Sequence, residues 1–73
     1  MAITPAALQT ALGVKIGDPL LMRADETAGA DVTKQAWLVH GRGTVPARVR
    51  WVVTTASDNA ATQAAAVLAA LRA

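Results

Sequence analysis

Ala47-Arg48-Val49-Arg50-Trp51-Val52-Val53-Thr54-Thr55, followed by Ala56-Ser57-Asp58-Asn59 and an alanine-rich run to Ala73, reads as one strand turning directly into one helix. Successive side chains of an extended chain point to opposite faces, so Val49, Trp51 and Val53 share one face while Arg48 and Arg50 share the other. The alternation predicts a strand over 47–55 with the tryptophan face inward. Ser57 is the expected helix cap, and Asp58 places a negative charge in the first turn. At about 100° per residue the helix has a core stripe of Ala61, Ala64, Ala65, Leu68 and Leu71. Its other side carries Asn59, Thr62, Ala66, Ala69 and Ala70, with Gln63 and Val67 at the margin.

Working upstream, residues 32–40 form a second strand in which Trp37 and Val39 share a face, and Leu38 and His40 the other. Gly41-Arg42-Gly43-Thr44-Val45-Pro46 is a glycine-rich turn, and the proline confines Val45 to the loop or to the fringe of the next strand. A turn centred near Thr44 sets Trp37 opposite Trp51 and Val39 opposite Val49, a cross-strand aromatic pair on the core face. That register places His40 beside Arg48 and Leu38 beside Arg50 on the outer face. Residues 20–24 are a short first strand, joined to the second by an acidic turn over 25–31. The chain opens with a short helix: Thr4 caps it, Pro5 holds its first position, Gly13 ends it, and Leu8, Ala11 and Leu12 make its apolar stripe. Residues 13–19 connect it to the sheet.

Seventy-three residues correspond to one domain, 1–73, and a chain this short buries only roughly 60–65% of its unfolded surface. Its core is thin, and partners are a natural source of further stability. There is no cysteine and only one histidine, so neither a disulfide, nor a Cys/His nucleophile pair, nor a multi-histidine metal site can be built within one chain. Ser57 is a cap by position, not a nucleophile, and the acidic turn reads as a solvated loop, not a metal site. Gly41-Arg42-Gly43 precedes a strand and not a helix, which excludes a phosphate-binding loop. The expectation is no catalytic site, no metal, no cofactor and no small-molecule substrate. No apolar run reaches the length of a membrane span, and the N-terminus lacks the pattern of a signal peptide, so no membrane role is expected. The expected setting is the cytoplasm, or a virion assembled there.

Two surface features ask for a partner. His40, Arg42, Arg48 and Arg50 lie within eleven residues, and the hairpin gathers them on one face and its tip. Arginines without lysines suit planar, bidentate contacts to carboxylate or phosphate. The alternative is an ordinary wet face of an antiparallel sheet. Residues 59–71 carry no charge at all, which points to a second copy or another chain over Asn59, Thr62, Gln63, Ala66 and Ala70. Alanine-rich coding, harmless on a solvated helix, is the competing explanation.

The order helix, strand, strand, strand, helix, with Ser57, Ala61, Ala65 and Ala66 spaced as they are, resembles the C-terminal half of a double-stranded-RNA-binding domain. Pro19 and Gly29 fall near that family's proline and glycine around its first strand, while its expected histidine and phenylalanine are absent. Asp58, Asn59 and Thr62 stand where the family's phosphate-gripping lysines would be. The resemblance implies the topology and, with those lysines replaced, speaks against the family's RNA grip.

Together these readings predict a small α+β domain, αβββα, with both helices on one face of a three-stranded antiparallel sheet. The expected function is a non-enzymatic interaction subunit, a phage-type structural or accessory protein within a larger homo- or hetero-oligomeric assembly. The alternative is a small nucleic-acid-binding module using the arginines of the 40–50 hairpin.

Overall fold

The computed structural model describes residues 2–22 and 33–73. In chain order the elements are α1 (Pro5–Leu12), a 3₁₀ turn (Gly13–Lys15), β1 (Leu20–Met22), β2 (Lys34–His40), β3 (Val49–Thr55) and α2 (Ala60–Arg72). The three strands make one antiparallel sheet in the order β1-β2-β3, so β2 is central and β1 and β3 are edges. This is the expected αβββα domain. The remainder of the first strand (Arg23, Ala24), the acidic turn over 25–31 with Gly29, and Val32 lie outside the described residues.

Helix α1 forms as its punctuation dictates. Thr4 accepts a hydrogen bond from the Ala7 amide, Pro5 takes the first turn, and Gly13 ends the helix with φ 59° while its amide bonds the Gln9 carbonyl. Leu8 and Leu12 are fully inward, whereas Ala11 of the expected stripe is exposed. The connection after it carries a core residue of its own. Ile16 bridges Gly41 and is 2% exposed, joining Leu8, Leu12, Trp37, Val39, Val45, Val52, Ala64, Val67 and Leu71 in a single core.

The hairpin register differs from the expected one by a single residue. Trp37 pairs with Val52, Leu38 with Trp51, Val39 with Arg50 and His40 with Val49. Because side chains alternate, this slip turns all of β3 over: Val52 and Thr54 point to the core, while Val49, Trp51 and Val53 point out. The expected Trp37–Trp51 pair does not form. Trp37 is 0% exposed and Trp51 is 48% exposed, on opposite faces of the sheet.

The connection explains the slip. Val45 donates its amide to the Arg42 carbonyl at 3.0 Å, closing one turn, and Arg48 donates to Pro46 at 2.8 Å, closing a second, tighter one. Val45 is thereby driven into the core, and the strand starts one residue later than in a symmetric hairpin. Side-chain chemistry favours the same register. A buried indole N–H needs an acceptor; Trp37 Nε1 donates to Thr54 Oγ1 at 2.9 Å, and Thr54 donates on to Gln63 Oε1 at 2.6 Å. With Thr54 facing outward, both Trp37 and Gln63 would be buried without these partners.

Helix α2 begins later and sits rotated relative to expectation. Its cap is Asn59, whose side chain accepts from the Thr62 amide at 2.8 Å, and Ser57 is an exposed turn residue. The buried residues are Gln63, Ala64, Val67 and Leu71, whereas Ala61 and Ala65 are exposed. An alanine-rich helix has little preference for one face, so the larger Val67 and Leu71 and the Gln63 amide, which also donates to the Asp58 carbonyl at 3.0 Å, decide its orientation.

Candidate interaction surface

The basic cluster is dispersed by the fold. Arg50 shares the helix-bearing face with Val52, and its Nη1 donates to the Ala70 carbonyl at 2.9 Å. Arg48 Nη1 donates to the Ala73 carbonyl at 2.9 Å. Both guanidiniums therefore sit at the C-terminal end of α2, where carbonyls lack intrahelical partners and the helix dipole favours positive charge. The outward basic face expected of Arg48 and Arg50 is not there. His40 alone lies on the open face, exposed at the end of β2 and opposite Val49. Arg42 is at the hairpin tip with its guanidinium against Gly17, where an added Cβ would meet it at 3.1–3.3 Å.

The helix residues are likewise divided. Asn59, Thr62 and Ala66 are exposed, and Ala70 is half-buried against the core. Gln63 is 0% exposed and engaged with Thr54 and Asp58, so it is an interior residue and no partner contact.

What the turned-over strand leaves outside is apolar. Leu20, Val49, Trp51 and Val53 are 61%, 60%, 48% and 51% exposed. Leu20, Leu38 and Trp51 stand in one row across the sheet, with Leu38 half-buried between its neighbours. The four exposed side chains present about 400 Å² of apolar surface, within the range that on a monomer is often functional. Alternation alone assigns Val49, Trp51 and Val53 to the core. The signal against that assignment is the consecutive Trp51-Val52-Val53, apolar on both faces, together with Thr54 in phase with Val52 and not with Trp51.

The strand carrying this stripe is also a sheet edge. Gly41 donates to Arg48 and Ala56 to Thr33, which places the ladder bonds of β3 toward β2 at its even-numbered residues. The main-chain groups of Val49, Trp51 and Val53 point away from β2 and have no protein partner among the described residues. The seven residues of β3 contain no proline, lysine or glycine, and Arg50 is their one charge.

A concavity of about 350 Å³ lies between α1 and the hairpin tip, lined in part by Gln9, Gly17, Asp18 and Arg42. Gln9 Nε2 donates to the Gly13 and Ile16 carbonyls, and its buried Oε1 has no partner among the described residues. Among the described residues no helix is long and apolar enough to cross a membrane. Searches against protein-family models, curated proteins and solved structures find no match to this chain.

Proposed function

We propose that this protein is a non-enzymatic interaction subunit that works inside a larger assembly. The observation that carries the reading is the apolar stripe Val49, Trp51 and Val53 on an open sheet edge, extended across the face by Leu38 and Leu20. A solvated sheet face normally alternates polar residues outward. Here an indole and three aliphatic side chains occupy it. The resemblance to a double-stranded-RNA-binding domain supports the topology only. Against the nucleic-acid alternative, Arg48 and Arg50 are engaged with carbonyls at the end of α2, while His40 is on the open face and the Arg42 guanidinium lies against Gly17.

The test is the native mass of the purified chain with whatever accompanies it, combined with acrylamide quenching of Trp51 in a Trp37→Phe background. Association that shields Trp51 from quencher is the expected result. A dilute, stable monomer with Trp51 open to quencher and no partner overturns the reading.

A further inference from the structure

We infer that the occupant of the β3 edge is a second copy of this chain, joined by two-fold antiparallel β3–β3 pairing into a continuous six-stranded sheet; the inference rests on the interaction reading above. Three observations favour self-pairing. First, the residues whose main-chain groups are open at the edge, Val49, Trp51 and Val53, are the same ones whose side chains form the exposed stripe. A two-fold pairing through these groups matches odd residues with odd residues and puts both stripes on one face. Centred on Val52, it overlaps all of Val49–Thr55, setting Trp51 beside Val53 of the second copy and keeping the two Arg50 side chains apart.

Second, the flank of α2 that overhangs this edge is small and uncharged. Gln63 bonds Thr54, and the Ala70 carbonyl receives Arg50, so that side of α2 faces β3. One step further round the helix, away from the core, stand the exposed Thr62, Ala66 and Ala69. α2 runs along β3, so pairing the two edge strands at about 4.8 Å brings the two α2 flanks against each other. Only small side chains fit there, and the charge-free run over 59–71 supplies them. Third, the strand edge, the adjoining flanks of the stripe side chains and the helix flank together bury on the order of 1,000 Å² in all, where specific interfaces begin.

The full chain is measured by sedimentation equilibrium up to about 200 µM, a range that detects weak dimers. The wild type is expected at twice the 7.5 kDa chain mass. Val53→Pro removes an outward N–H and leaves the β2 ladder intact; Ala66→Glu brings two like charges together between the helices. Each is expected to weaken the dimer at least tenfold with an unchanged far-UV spectrum, while Leu20→Lys, on the far edge, leaves it intact. Should Val53→Pro unfold, Ala66→Glu carries the test. Dimers that survive Ala66→Glu, or that are lost only in Leu20→Lys, overturn the edge pairing. A wild-type monomer whose Trp51 is shielded by a different protein overturns it too, yet leaves the interaction reading standing; a monomer with Trp51 open and no partner overturns both.

Discussion

Arg50 and Ala70 are joined across 2.9 Å, guanidinium to carbonyl, tying the edge strand to the last turn of α2. Twenty residues separate the two in sequence, and the contact converts a strand arginine into a helix cap. Arg50→Ala is expected to lower stability by about 0.5–1.5 kcal/mol, a drop of several degrees in Tm for a domain of this size. Arg50→Lys restores the charge and only part of the loss, since a single ammonium lacks the planar donor fork. Thermal melts by circular dichroism measure both; equal stability of Arg50→Ala and wild type would refute the cap.

The start of α2 separates two candidate caps. Asn59→Ala removes the acceptor for the Thr62 amide and is expected to cost about 1 kcal/mol, whereas Ser57→Ala is expected to change stability by less than about 0.3 kcal/mol. Urea unfolding of the two variants decides between them, and a reversed order would return the cap to Ser57.

Thr54 is the hinge of the buried polar chain from Trp37 to Gln63. Thr54→Val keeps the volume and strands an indole N–H and an amide oxygen in the core, for an expected loss of about 2–3 kcal/mol. Trp51→Ala, on the open face, is expected to cost less than half as much. Chemical denaturation of the two proteins, compared at a concentration where both have the same oligomeric state, tests the assignment of the two faces.

Gly41 and Gly43 are required for different reasons. A Cβ on Gly41 would lie 1.9 Å from the Pro46 carbonyl oxygen, so Gly41→Ala must displace backbone and is expected to shift the hairpin, seen as widespread amide chemical-shift changes in β2 and β3. Gly43 has φ 61°, and a Cβ there would make only an ordinary contact, 3.6 Å, with the Val14 carbonyl oxygen; Gly43→Ala is expected to cost about 1 kcal/mol while leaving the spectrum otherwise unchanged.

The order and type of the elements are legible in local chemistry. Thr4, Pro5 and Gly13 bound a helix wherever they occur in that spacing, Gly41 to Pro46 break the chain between two β-rich runs, and alanine favours helix over 60–72. The faces are not legible in this way. Alternation of Val49, Trp51 and Val53 with Arg48 and Arg50 points the wrong side of β3 inward, residues 51–53 being apolar at both parities, and one residue absorbed in the turn around Val45 and Pro46 decides the face. That choice depends on partners distant in the chain: an acceptor for the Trp37 indole, a donor for Gln63, and carbonyls at the end of α2 for Arg48 and Arg50. The same slip that buries Thr54 carries Trp51 to the surface. The candidate site is thus a product of tertiary hydrogen bonding, because burying a polar group unpaired costs more than exposing an apolar one.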